Sequence, residues 1–412
     1  MAPTSAAPET GTLTGLRIID ISTYVAGPSG TMALAQLGAD VIRIDPVGGA
    51  TDVRRLPLHP DGLSLYWASL NREKRSVQVD LRGEEGRDLV RALIAASGPG
   101  GGIVVTNAVG QEWLDYDRLV EVRPDLILVQ IAGRADGRPA VDYTVNCEVG
   151  LPYLTGPADS QVPVNHVLPA WDLLTGLYAG MAVLAAERER SRTGAGRHVR
   201  LSLSDVALTT MANLGFVADV VVNGARRDRE GNYLYGSFGC DFATADGDRV
   251  MVVALTERHW RRLVDLTGTG ETIAALERSL DVSLQAEESR YRFREVLAAL
   301  FAGWFRRHDT KAVHAALADS QVLWGPYRTI DELVTLPDGL LATSNLFTDT
   351  DHPGIGPLPT PVTVLAGAGR GGPPVPASIP GSDTDAVLGA MLDLAPDALD
   401  DLRRRGVTGP RP

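Results

Sequence analysis

The sequence predicts an α/β protein: a Rossmann-like parallel sheet in a large first domain, followed by a smaller α+β domain. Three observations support this. Short β-branched apolar runs alternate with helical patterns over the first 135 residues, the signature of strands buried under helices. Residues 169–220 are mostly helical and are broken once by a short strand. Past a charged, Gly-containing connector at Asn223 to Arg229, the pattern changes to a hairpin and further helices.

Leu16 to Ser22 is an apolar run of strand length. A Gly-Pro turn follows, and Pro28 suits the first turn of a helix that passes through Met32, Leu34 and Leu37 and stops at Gly38. Asp40 to Asp45, Val77 to Leu81, Ile103 to Thr106 and Leu126 to Ile131 read as further strands, with a helix over Glu84 to Ala96. Leu173 to Ala186 is Ala-rich and reads as a buried helix, too short to span a membrane. Arg200 to Leu203 is the short strand that interrupts the helical stretch. Cys240 to Leu255 reads as a hairpin turning at Asp246-Gly247, and helices are expected over Glu257 to Leu266, Arg294 to Arg307 and Thr310 to Ala318. Ile355 to Pro380 is rich in Gly and Pro and should run extended, before a short helix near Thr384 to Leu394. The expected division is 1–224, 225–330 and a returning segment 331–412.

Composition narrows the function. The chain has 412 residues, is 44% hydrophobic and has a net charge of -12, so its core needs no covalent staples and a broad nucleic-acid face is not expected. Cys147 and Cys240 are too few for a disulfide framework or a Cys-rich metal site, and both read as ordinary buried thiols. The seven histidines show no metal-binding spacing, so no bound metal is expected. Only Lys74 and Lys311 are lysines, a bias that mainly reflects base composition. The N-terminus lacks the basic and apolar regions of a secretory signal, and no apolar stretch is long enough to cross a membrane; a soluble, cytoplasmic protein is expected.

Standard cofactor loops and nucleophile motifs are missing. TYVAGPSG after the first strand is not G-x-G-x-x-G, and there is neither a P-loop nor a G-x-S-x-G elbow. One acid stands out: Asp172, in Pro169-Ala170-Trp171-Asp172-Leu173-Leu174-Thr175-Gly176, just ahead of an apolar helix. Its plain reading is a capping carboxylate. Its functional reading is a rigidly held acid beside amides able to stabilise an oxyanion.

In the order LTGLRIIDISTYVAGP, LAQLGADVIRIDPVGG, LNREKRSVQVDL, WDLLTGLYAGMAVLAAERERSRTGAGRHVRLSLSDV and IPGSDTDAVL, the chain resembles the class III CoA-transferase family over nearly its whole length. The resemblance implies that Asp172, in the D-x-x-[TS]-G block, is a nucleophile forming a mixed anhydride and then an aspartyl-CoA thioester. It implies CoA contacts at Val25, Ala26, Arg43, Asn71, Lys74, Arg75, Val79, Arg82 and Asn107. CoA would enter as part of the substrate, with no tightly bound cofactor. It also implies an interlocked homodimer.

The family's pattern is not followed throughout. Thr106-Asn107-Ala108-Val109-Gly110 lacks the Arg commonly found in that loop, so some phosphate contacts must differ. Val141 stands where the racemase branch has a histidine, so the second base of α-proton exchange is missing and racemisation is not expected. VDYTVNCEVGLPYLTGP, VNHVLPAWDLLTG, GNYLYGSFGCDF and WGPYRTIDE resemble a branch that moves CoA between the two carboxyls of one small dicarboxylate. The far carboxylate then needs a partner; Asp142 (in support), Tyr143, Asn165, His166 and Tyr233 are candidates, with Arg134 more distant. Transfer between two separate acids, and a non-catalytic CoA-binding protein, are the other readings.

Overall fold

The computed structural model describes residues 11–365 and 367–412. They pack as two compact units. One holds the chain up to Val149, Val167–Gly224 and Ser344–Pro412; the other holds Gly150–His166 and Ala225–Thr343. Relative to the expected division, the border at 224 recurs. The smaller unit, however, also takes the segment 150–166 and continues to Thr343 instead of 330.

The larger unit is built on a six-stranded sheet of β1 (Arg17–Ile21), β2 (Asp40–Pro46), β3 (Lys74–Val79), β4 (Ile103–Thr106), β5 (Ile127–Ala132) and β6 (Arg197–Ser202). The order is β3-β2-β1-β4-β5-β6 and every neighbouring pair is parallel. Ile18, Ile19, Val41, Ile42, Ile103, Val104 and Leu128 are fully buried, as a sheet covered on both faces requires. Chain order reverses between β1 and β4, which opens a crevice at their C-terminal ends, the usual ligand position in such sheets.

Two strands begin earlier than expected. β3 starts at Lys74 rather than Val77, and β6 at Arg197 rather than Arg200. For β3 the reason is visible: Lys74 is buried with its charge matched by Asp20, so a lysine occupies a position that patterning reserves for apolar residues. Helices Ala26–Gln36, Glu84–Ala95 and Ala170–Thr193 lie close to their expected positions. The last ends at Gly194, whose φ of 73° suits glycine. Short helices Leu65–Leu70 and Asp142–Glu148 were not legible. Cys147 lies on the second of these and is exposed, not buried as expected, because its seven-residue helix keeps part of its surface open.

The C-terminal segment covers the edge strand β3. Ser76 N donates to Asp383 Oδ2 at 2.8 Å, Gln78 N to Thr384 Oγ1 at 3.1 Å and Asp80 N to the Val407 carbonyl at 2.8 Å. Helix Thr384–Leu392 adds Val387 and Leu388 to the core beneath.

The smaller unit has an antiparallel sheet of β7 (Phe238–Ala243), β8 (Arg249–Ala254) and β9 (Leu323–Pro326). The first two form the expected hairpin. Phe238, Trp260, Phe301 and Phe305 centre its own core. No single helix among the described residues is long and apolar enough to cross a membrane.

Candidate active site

Asp172 lies in the first turn of the Ala170–Thr193 helix, and it is not that helix's cap. Asp142 takes the capping role from a distance: its Oδ2 accepts from Trp171 N at 2.7 Å and Asp172 N at 3.2 Å. Trp171 Nε1 also donates to Asn146 Oδ1 at 3.1 Å, tying the helix start to the Asp142–Glu148 helix. Ala170 N and Leu173 N donate to the carbonyls of Leu168 and Pro169. The first-turn amides are therefore occupied, and the expected oxyanion donors at this helix end are committed to structure. The Asp172 carboxylate itself is left for chemistry.

Electrostatics suit a nucleophile. Burial and the charge of Asp142 push the Asp172 pKa up to about 6, against the pull of Arg55. A carboxylate with a raised pKa is more basic than an ordinary one and still ionised at neutral pH.

Two glycines place this helix. A Cβ at Gly176 would come within 2.3 Å of Ser29 Oγ, and one at Gly30 within 2.4 Å of the Gly176 carbonyl. The Ala26–Gln36 and Ala170–Thr193 helices thus cross backbone to backbone, which explains the glycine in the D-x-x-T-G block. The start of the Ala26–Gln36 helix has no side-chain cap and no acid in its first turn, so its amide end suits a developing negative charge.

Asp172 and Asp142 line a cavity of about 990 Å³ at the C-terminal ends of the sheet strands. Val25 and Ala26 follow β1, Asn107 follows β4, and Gly133 and Tyr143 follow β5 around the same space. Asn107 joins two of these loops, accepting from Thr23 N at 3.1 Å and donating to the Thr23 carbonyl at 3.0 Å. Arg55 also lines the cavity; sequence patterning carried no signal for it, because it lies in an irregular loop.

Residues 13–384 match the sequence profile of CoA-transferase family III. The chain belongs to that family. It is 43% identical to 2-methylfumaryl-CoA isomerase of Chloroflexus aurantiacus, over 97% of this chain and 98% of the relative. It is 30% identical to succinyl-CoA:mesaconate CoA-transferase of Haloarcula hispanica, over 84% of this chain and 87% of the relative. The crystal structure of a CAIB/BAIF family protein from Brucella suis superposes with a TM-score of 0.76 at 26% identity, covering 93% of this chain and all of that one.

For a family III CoA-transferase, the placement of the expected CoA contacts is selective. Val25, Ala26 and Asn107 line the cavity. Arg43, Asn71 and Lys74 do not; they form a buried cluster instead. Arg43 bonds Asp45 at 2.9 Å, Asp52 at 3.0 Å and Asn71 at 2.8 Å, and is only 1% exposed. Lys74 Nζ donates to Asp20, to the Pro28 carbonyl and to Asn71, each at 2.9 Å. Burial lowers the Lys74 pKa to about 8 against the pull of Asp20. Burial alone would raise the Asp20 pKa, but Lys74 and Arg43 bring it below the usual carboxylate value. Here these cations offset strand-end carboxylates and leave few donors for a phosphate. Val79 is fully buried in the sheet, so its side chain offers a ligand no surface. Arg75 pairs with Asp40 away from the cavity lining, and Arg82 is exposed outside it.

The expected substrate-pocket residues divide between the units. Asp142 and Tyr143 line the cavity, and Tyr143 Oη donates to the Val167 carbonyl at 3.3 Å. Asn165, His166 and Tyr233 belong to the smaller unit, where Tyr233 packs against that unit's own core. Arg134 is bound to Glu148 at 2.5 Å and does not line the cavity.

Proposed function

We propose that this chain is an intramolecular CoA-transferase that interconverts the C1 and C4 thioesters of mesaconate, a 2-methylfumaryl-CoA isomerase. The observation that supports it most is the 43% identity to an isomerase over 97% of the chain, with Asp172 presented to a cavity of substrate size. The Asp172 carboxylate attacks the thioester carbonyl, the C–S bond breaks and CoA thiolate leaves, giving a mixed anhydride. The thiolate then attacks the aspartyl carbonyl and releases the C1 carboxylate, leaving an aspartyl-CoA thioester. After the diacid turns, its C4 carboxylate attacks that thioester and expels the thiolate. Attack of thiolate at C4 completes the product and restores Asp172. Atoms balance without water, and excluding water matters because it would hydrolyse the anhydride. CoA enters only as part of the substrate.

The assay follows the C1 thioester with and without labelled free mesaconate. Formation of C4 thioester without label supports the reading; absence of any C4 thioester rejects it. Labelled product supports the second reading, transfer between two acids, which the Haloarcula hispanica relative's name favours. Loss of CoA binding and turnover alike would leave neither reading standing.

A homodimer is part of the same reading. It is supported by an apolar face in the larger unit, where Val221 and Val222 are each 77% exposed and helix Phe216–Asn223 has no buried residue.

A further inference from the structure

A dicarboxylate substrate presents a second charge that must be bound while the first carboxyl reacts. Among the described residues, two cationic side chains line the cavity, Arg55 and Arg138. Arg138 is exposed and already held by Asp136, which accepts from its Nε at 2.7 Å and from its amide at 3.0 Å. Arg55 forms no ion pair or side-chain hydrogen bond with any described residue. Its guanidinium lies instead against two aromatic faces, 5.4 Å from the Tyr24 ring centroid and 4.8 Å from that of Tyr66. The aromatic faces stabilise the cation, and with no side-chain hydrogen bond to any described residue its N–H fork is left unused. Such a fork matches a carboxylate.

The surroundings are built to hold this arginine in place. Tyr24 adopts a left-handed backbone with φ of 68°, rare for a tyrosine. Its amide donates to Asp52 Oδ2 at 2.9 Å, and its hydroxyl accepts from Thr51 Oγ1 at 3.0 Å. Asp52 is fixed in turn by buried Arg43, and its carbonyl accepts the Arg55 amide at 3.1 Å. Strain of this kind persists only where surrounding contacts over-determine it, often beside a functional site. The buried Arg43 cluster therefore has a purpose at the cavity: through Asp52 and Tyr24 it sets the platform for Arg55. Arg55 and Asp172 line the same cavity, and the Arg55 charge draws the Asp172 pKa down against burial and Asp142, so the cation faces the space the reacting carboxyl faces. That is the wrong end for the phosphates of CoA, which lie across the pantetheine arm from the thioester.

We propose that Arg55, stacked between Tyr24 and Tyr66, binds the free carboxylate of the acyl group opposite Asp172 and selects dicarboxylyl thioesters. The proposal rests on the transferase reading above. It also gives a means of retaining the diacid: while CoA sits on Asp172, the C4 carboxylate leaves Arg55 for the aspartyl thioester as the released C1 carboxylate takes its place on the guanidinium.

The test compares 2-methylfumaryl-CoA with tigloyl-CoA, which has a methyl group in place of the free carboxylate. Hydroxylamine traps the activated Asp172 carbonyl, and CoA release gives kcat/KM for each thioester. Arg55→Gln is expected to lower kcat/KM for 2-methylfumaryl-CoA by about 100-fold and that for tigloyl-CoA by less than about 3-fold. Arg55→Lys, which keeps the charge without the fork, should recover about 10-fold of the loss. Thermal melts of both variants verify folding, and the lysine variant stands in should the glutamine variant fail to fold. Equal losses on both thioesters would overturn the proposal and indicate a CoA-phosphate contact or a structural role. Unchanged discrimination would also overturn it. A wild-type protein that releases CoA from neither thioester would reject the transferase reading, and this proposal with it.

Discussion

Asp172 shows how one residue's setting decides its role. Its position at a helix start suggests a cap, and the amides there are instead taken by Asp142. The displaced carboxylate is half-buried, next to a second acid, and its pKa is pushed up to about 6. Because folding raises this pKa, Asp172 favours the folded state only at low pH, and that contribution is lost as the pH rises through about 6. At neutral pH the ionised side chain costs about 2–3 kcal/mol of stability. Asp172→Asn should therefore raise Tm by a few degrees at pH 8 while abolishing CoA release. Equal melting temperatures at pH 8 would contradict the charge argument. On the proposed mechanism, the rate of wild-type anhydride formation should rise with pH through about 6 and then level off, read from kcat/KM between pH 5 and 8.

At the scale of elements, β1, β2 and β3 share a buried charge cluster in which Arg43, Asn71 and Lys74 are residues that the family resemblance assigns to CoA. Asp20 on β1, Arg43 on β2 and Lys74 on β3 are each buried and linked directly or through Asn71. Removing one member leaves an unpaired charge in the sheet. Lys74→Met is expected to destabilise the larger unit by about 3–5 kcal/mol, measured by urea unfolding. A variant of unchanged stability whose only defect is a raised KM would instead return Lys74 to the phosphate site. Much of the parallel sheet was legible because its strands are continuous apolar runs at regular spacing. The start of β3 was not, since periodicity has no means of showing that a lysine will find Asp20 across the sheet. The short helix Asp142–Glu148 was hidden for a related reason: seven residues give too few turns for a helical period to emerge.

For the whole molecule, the apolar face around Phe216–Asn223 bears on the proposed homodimer. Exposed Val220, Val221 and Val222 on one short helix are costly to leave in water. Light scattering should give a mass about twice that of one chain, and Val221→Glu should shift it toward the single chain. A monomeric wild type would reject the dimer.

The sequence by itself determined the βα alternation, the family and the position of Asp172, because these rest on local apolar periodicity and on a motif contiguous in the chain. Tertiary structure decided what the motif's neighbours do. It moved the cap of the Asp172 helix to Asp142, turned Arg43, Asn71 and Lys74 inward, and brought Arg55 to the cavity from an irregular loop. The first two depend on a charge meeting its partner across tens of residues, as Asp142 meets Trp171 N and Lys74 meets Asp20, whereas Arg55 rests on the rings of Tyr24 and Tyr66; burial decides whether a charge binds a ligand or the protein itself.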